Sequence, residues 1–291
     1  MVFNSVTFFV FLFITFLIYL KAAKHSVKSG NFILLSASYI FYGWWDWRFL
    51  FLIIISSLTD FIVGYELFKT ESARRRKLLL AASLIINLGM LFVFKYFNFF
   101  VDTFLAMFGN EENQSSLIKI ILPVGISFYT FQTLSYTIDI YRRQLTPTKS
   151  VITFLTFVSF FPQLVAGPIE RAGRLIPQFE KKFSFNYQQA SSGLKLILWG
   201  LFKKVVIADQ SAVLVNAVYQ TPDSYNGISL IIATLLFGFQ IYCDFSGYSD
   251  IAIGTARLFG IELMTNFRTP YFASSIKDFW HRWHISLSTW F

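Results

Sequence analysis

The chain is poor in charge, in histidine and in cysteine. Only 14% of its 291 residues are charged, against roughly 25% in a soluble domain. With 55% hydrophobic and 20% aromatic residues, a water-soluble globular protein is excluded. The single cysteine, Cys243, excludes an intrachain disulfide and reads as a small apolar filler. There is no metal motif, no Gly-rich phosphate loop, no Gly-x-Ser-x-Gly, no internal repeat and no low-complexity linker. Sixteen acidic residues face 25 basic ones, for a net charge of +9. The basic residues sit in short clusters between apolar runs, as in the cytoplasmic loops of membrane proteins, so the excess does not point to nucleic acid.

What the chain does have is long apolar runs, near 3–20, 31–43, 49–65, 78–100, 117–138, 151–166, 191–218 and 228–258. A helix needs roughly 20 apolar residues to cross a bilayer. The run at 31–43 is short and borrows length from Trp44-Trp45. The runs are continuous, without dyad alternation, which excludes a membrane β-barrel. Lys21, Lys24 and Lys28 lie after the first run and no small-residue cleavage site follows it, so it is a retained span. The basic groups Lys21–Lys28, Arg74–Lys77 and Arg142–Lys149 alternate with the neutral Trp44–Arg48 turn and the acidic 101–116 stretch. By the positive-inside rule this puts the N-terminus outside the cytoplasm, in a multi-pass protein of the cytoplasmic (inner) membrane.

The rule then meets a conflict. Residues 151–166 are apolar, yet basic residues lie on both sides, including Arg171, Arg174, Lys181 and Lys182. With Pro162 inside the run and Gly167-Pro168 ending it, the expectation is a re-entrant, broken helix lining a cavity, or alternatively an interfacial helix lying flat. Lys203-Lys204 is awkward within 191–218. Either the ammonium groups snorkel to the inner surface, or the region splits into a surface helix and a span.

Two polar clusters stand out. Tyr242-Cys-Asp-Phe-Ser-Gly-Tyr-Ser-Asp250 follows the apolar run Ile228–Ile241, and Asp278-Phe-Trp-His-Arg-Trp-His284 comes near the last residue, Phe291. Carboxylates and hydroxyls at a membrane edge need protein or a water-filled cavity around them, which suggests an internal polar chamber. Asp244 either orients a reacting group or caps a helix end. His25, among lysines, reads as an exposed loop residue. His281 and His284, three apart, share a face if the segment is helical, but nothing completes a metal site, so no metal is expected. Residues 276–291 fit an amphipathic interfacial helix, with Trp290 and Phe291 in its apolar bulk. The sharper alternative is that His284 faces the chamber as a general base or hydrogen-bond donor.

Five segments carry a resemblance that spans the chain. They are Leu122-Pro-Val-Gly-Ile-Ser-Phe-Tyr-Thr-Phe131, Ser135-Tyr-Thr-Ile-Asp-Ile-Tyr-Arg142, Phe160-Phe-Pro-Gln-Leu-Val-Ala-Gly-Pro-Ile-Glu-Arg171, Tyr242–Asp250 and Asp278–Ser288. In order and spacing they resemble the membrane-bound O-acyltransferase family, and within it the alginate O-acetylation type. The resemblance implies an all-α, polytopic transmembrane helical bundle with re-entrant or interfacial helices around a central tunnel, residues 1–291 forming one membrane domain. It implies an acyltransferase that moves an acyl group, acetyl by this likeness, from a cytoplasmic donor such as acetyl-CoA. The group passes across the lipid bilayer to a secreted polysaccharide or a partner transferase outside, with no bound cofactor. His284 matches one patterned histidine of the family. His281 stands where relatives place an arginine. The family's principal catalytic histidine lies in a Trp-His-Gly segment absent from this chain. The likeness places that segment beyond Phe291, so on this reading the chain is incomplete at its C-terminus.

By the same likeness, Gln163, Asp244, Ser246, Tyr248, Lys277, Asp278 and Trp280 face the chamber. Arg171 and Arg174 either hold the phosphates of the acyl donor or are ordinary inner-surface charge. A transporter or channel, or a scaffold subunit without acyl chemistry, is the competing class. Alginate, cellulose, peptidoglycan and teichoic acid remain open as acceptors.

Overall fold

The computed structural model describes residues 1–108, 120–165 and 167–291. Among them the regular structure is helical: α1 Val6–His25, α2 Val27–Asp46, α3 Leu50–Lys69, α4 Ala73–Leu91, α5 Phe97–Phe108, α6 Ile126–Tyr141, α7 Val151–Ser159, α8 Phe161–Leu164, α9 Ala172–Phe179, α10 Tyr187–Leu201, α11 Asp209–Gln220, α12 Gly227–Leu258, α13 Ile276–Arg282 and α14 Ile285–Ser288. Single π-helical segments, Phe92–Tyr96 and Phe202–Ala208, join α4 to α5 and α10 to α11. Short polar residues start the helices where the apolar runs begin. Ser5, Ser26, Ser72, Ser150, Asn186, Asn226 and Ser275 each accept a hydrogen bond from a backbone N–H of the first turn.

Among the described residues, four stretches are long and apolar enough to cross a membrane: Val6–His25, Val27–Lys69, Ala73–Met107 and Gly227–Leu258. The second is interrupted at Asp46, whose backbone is extended and whose carboxylate accepts from Arg48 N–H before α3 begins. Their outward faces carry bare apolar side chains such as Ile85, 71% exposed, and Ile228, 70% exposed, a surface suited to hydrocarbon. The expected run 117–138 is only partly a helix. Residues 117–119 lie outside the described residues, 120–125 are not helical, and α6 spans 16 residues.

The buried polar groups are paired across helices. Asp60 of α3, fully enclosed, accepts hydrogen bonds from Ser83 and Asn87 of α4 (Asn87 Nδ2 at 2.8 Å) and from Thr137 of α6 at 3.1 Å. Arg76, one of the basic group Arg74–Lys77, is buried. Its guanidinium donates to Leu67 O and Thr70 O at the end of α3, and to Tyr141 O at 2.7 Å at the end of α6. A cation thereby satisfies carbonyls that two helix C-termini leave without partners.

The stretch 151–164 is a broken helix enclosed by protein. α7 and α8 are separated at Phe160, and Thr153, Phe154, Thr156 to Ser159 and Phe161 to Leu164 are all buried. The groups freed by the break have partners. Phe161 N–H donates to Ser38 Oγ at 3.0 Å, and Phe157 O accepts from Gln132 Nε2 at 2.5 Å and Gln163 Nε2 at 3.0 Å. This is how irregular backbone is tolerated at membrane depth. Val151 stays exposed, with Ile152 and Leu155 half-buried beside it.

Candidate functional site

α12 carries two polar faces. The face holding Asp244, Ser246, Gly247 and Asp250 packs on α10 and its π-helical continuation. Contact is close because both sides use glycine: a Cβ on Gly200 would sit 2.6 Å from Gly247 O. Lys203 Nζ lies 2.5 Å from Asp250 and donates to Ser246 Oγ at 3.0 Å. Lys204 Nζ lies 2.5 Å from Asp244 and 2.8 Å from Asp209, with its ammonium over the Tyr248 ring. The expectation that both ammonium groups reach the surface is corrected: Asp244 and Asp250 of the 242–250 cluster, with Asp209, pair with them, and the run passes from α10 through the π-helical segment into α11. Asp244 lies inside the 32-residue α12, so it is not a helix cap.

The other face of α12, through Tyr242, Phe245 and Ser249, meets the segment around His284. The single amphipathic helix expected over 276–291 is corrected as well. α13 ends at Arg282, Trp283 is extended, and His284 adopts φ 44°, ψ 54° before α14. His281 and His284 therefore do not share a helical face. A left-handed backbone is uncommon for a residue other than glycine. It is held here by pairing with the preceding loop: Ile285 N–H donates to Asn266 O at 2.9 Å, and Arg268 N–H to Arg282 O at 3.0 Å.

The side chain of Asn266 connects everything at this point. Its Oδ1 accepts from the Ser286 backbone N–H at 3.3 Å and from Ser286 Oγ at 2.9 Å, while its Nδ2 donates to Ser249 Oγ at 3.2 Å. A backbone N–H can only donate, so the atom facing it is the amide oxygen. His284 Nδ1 lies 3.1 Å from that same oxygen and 3.3 Å from Ser286 Oγ. Nδ1 thus carries the proton, and Nε2 keeps its lone pair. The Phe245 ring stands edge-on to the imidazole at 4.8 Å, and Phe128 of α6 lies along it at 6.5 Å. Burial holds the imidazole below its ordinary value of 6.5, in the neutral form at pH 7. The arrangement is an oriented, uncharged base.

The remaining sequence candidates distribute as follows. Gln163 is buried at the α7–α8 break, with its Oε1 unpaired among the described residues. Asp244, Ser246 and Tyr248 belong to the lysine face. Asp278 is held below the usual carboxylate range by its hydrogen bonds with Arg282, at 2.9 Å, and with Ser274 N–H. Lys277 and Trp280 are exposed. Arg171 donates to Thr289 O at 3.0 Å and Trp290 O at 3.1 Å and lies 3.6 Å from Asp139, so it ties the segment after His284 to α6. Trp290 reinforces the tie through Nε1 to Phe131 O at 3.1 Å.

Phe291 closes the segment without adding a chemical group to the site. Its side chain is exposed, its ring lies 6.3 Å from Phe131, and its N–H donates to Leu287 O at 3.4 Å. The sequence holds no Trp-His-Gly segment. Arg174 lies 3.4 Å from the buried Glu170, whose carboxyl also accepts from Met264 N–H. Burial pushes Glu170 up to about 7. Sequence reasoning missed Asn266 and the partners of Lys203 and Lys204. His25 is exposed and Cys243 buried.

Among known proteins, residues 142–291 match the family described as MBOAT, membrane-bound O-acyltransferase. A Probable alginate O-acetylase AlgI of Azotobacter vinelandii is 38% identical, over 100% of this chain and 58% of its own length. A Peptidoglycan O-acetyltransferase of Helicobacter pylori is 35% identical, over 99% of this chain and 60% of its own length. A Teichoic acid D-alanyltransferase of Bacillus subtilis is 30% identical, over 58% of this chain and 43% of its own length. The chain spans about three fifths of the first two relatives.

Proposed function

This chain belongs to the membrane-bound O-acyltransferase family, and we propose that it acts in moving an acetyl group from a cytoplasmic acyl-CoA across the inner membrane to a hydroxyl-bearing secreted polysaccharide or a partner transferase. The observation that carries the reading is the 3.1 Å approach of His284 Nδ1 to the side-chain oxygen of Asn266. With Nδ1–H held by Asn266, Nε2 is the atom available to a substrate. In the proposed step Nε2 takes the proton of the acceptor hydroxyl as its oxygen bonds to the thioester carbonyl carbon. The carbon–sulfur bond then breaks, and the thiolate leaving group recovers the proton. Acetyl is preferred over D-alanyl because the two O-acetylating relatives match essentially the whole chain, while the D-alanyltransferase matches only part of it.

Arg174, half exposed and with donors left over beside Glu170, is the better placed of the two arginines for the donor's phosphates. Arg171, at the N-terminal end of the helix that carries Arg174, supports it while holding the segment after His284. The polar side chains Gln163, Lys277 and Asp278, with Trp280, are proposed to border the path of the reacting groups. In the complete protein, the family's second histidine is proposed to join this path from sequence following Phe291. The N-terminus lies outside the cytoplasm on this reading. The test uses inside-out membrane vesicles containing the complete protein, with radiolabelled acetyl-CoA added to the medium. The expected result is label transferred to acceptor inside the vesicles. Label that stays on the donor side under the same conditions contradicts the direction.

A further inference from the structure

The geometry points to a binding site for one anionic phospholipid between α1 and α10, a site distinct from the His284 region. Two hollows lie next to each other there, lined by chain neighbours such as Ser184 and Phe185, and Leu258 and Phe259. The first is an apolar groove of about 450 Å³ between Phe9, Leu12, Phe13 and Phe16 of α1 and Ser191 and Leu194 of α10. These α1 residues follow the i, i+3, i+4, i+7 spacing of a single helix face. The next residue on that face is Tyr19, which lines the second hollow, a cavity of about 270 Å³ with Lys181, Lys182, Ser184 and Gln189 at its walls. The two are joined by Phe16, whose ring lies 5.9 Å from Phe259 of the cavity and 6.5 Å from Phe185 of the groove. From Phe9 to Tyr19 the path is about 15 Å long.

Charge decides the occupant. Lys181 and Lys182 are exposed and form no ion pair among the described residues. Of the acids near them, Glu180 accepts from Thr148 at 2.8 Å and forms no ion pair with either lysine, and Glu262 is engaged by Arg257 at 3.2 Å and Gln189 at 3.0 Å. Lys21 and Lys24, at the end of α1, add positive potential at the same end of the groove. A ligand with a phosphate at one end and hydrocarbon at the other matches this sequence of surfaces, as basic pockets beside apolar helices match anionic lipid headgroups. By contrast, the larger groove at Phe92–Met107, about 620 Å³, is lined only by uncharged residues and offers nothing beyond ordinary contact with lipid tails.

The experiment is native mass spectrometry of the full chain released from detergent. It is titrated separately with phosphatidylglycerol, phosphatidylcholine and inorganic pyrophosphate. One phosphatidylglycerol is expected to be retained in preference to phosphatidylcholine. The preference should fall by about 30-fold in K181A/K182A, at the contribution of one surface lysine each. Ser191→Trp, which fills the groove and leaves the lysines in place, should weaken phosphatidylglycerol retention too. Lys21→Ala with Lys24→Ala changes the net charge equally and should have the smaller effect. The inference is overturned if both double variants lose equally, which means diffuse surface charge. It is also overturned if pyrophosphate binds as well as the lipid and Ser191→Trp changes nothing, which means a site for a soluble phosphate.

Discussion

His284 Nδ1 lies 3.1 Å from the side-chain oxygen of Asn266, an oxygen that also accepts from the backbone N–H of Ser286. One amide oxygen therefore sets both the turn that presents the histidine and the tautomer in which it is presented. The hydrogen bond made by one imidazole nitrogen fixes the state of the other, the one left to face a substrate.

If Asn266 works through His284, the two are not independent. Asn266→Ala is expected to lower acyl transfer by the complete protein. It should also cost about 1–3 kcal/mol of stability, because Ser249 and Ser286 lose a buried partner. The combined Asn266→Ala and His284→Ala variant should transfer no less than His284→Ala alone. Initial rates normalised to protein in the membrane check this, and multiplicative losses would show that Asn266 acts separately.

The titrations run in opposite senses. His284 is depressed by burial, so the base is present near neutrality and transfer declines as pH falls below 6.5, through the folded-state value. Glu170 is raised from 4.5 to about 7 by burial, so the folded protein holds a proton there that the unfolded chain gives up. Its contribution to stability is full below 4.5 and is lost as pH rises through 7. Melting temperatures measured between about pH 5 and pH 8 should fall with rising pH, and Glu170→Gln should flatten that slope.

The buried ion pair gives a test of packing. Lys203 and Asp250 are 2.5 Å apart, with side-chain exposures of 8% and 21%. Lys203→Met leaves the Asp250 carboxylate enclosed without its partner and is expected to destabilise the protein by about 3–5 kcal/mol. Adding Asp250→Leu should restore most of the loss, because two apolar side chains replace a pair rather than break one. Thermal unfolding in detergent reads both.

Much of the bundle could be read from the sequence, because its causes are local. Apolar runs bounded by Ser and Asn caps mark α1, α2 and α12, and Pro162 with basic flanks marks the broken α7–α8. What escaped was set by distant partners. Lys203 and Lys204 looked anomalous alone, and so did Asp244 and Asp250. Opposite charges in two apolar stretches were the signal that they pair. Asn266 lies in a loop without periodicity, so nothing local marks it as buried. The helix expected from Ile276 to Phe291 fails at His284 because Ile285 N–H donates to the loop rather than to the preceding turn, and Arg282 O accepts from the loop. The two histidines then part company.

The most direct measurement compares His284→Ala with His281→Ala in the complete protein, scoring polymer acetylation against the amount of protein in the membrane. His284→Ala is expected to reduce transfer by about 10²–10⁴-fold, the range for loss of a general base, at unchanged abundance, while His281→Ala stays close to the parent. Parental acetylation by His284→Ala would leave the chemistry to residues beyond Phe291. That result, or equal losses in the two variants, would contradict the assignment of the base to His284.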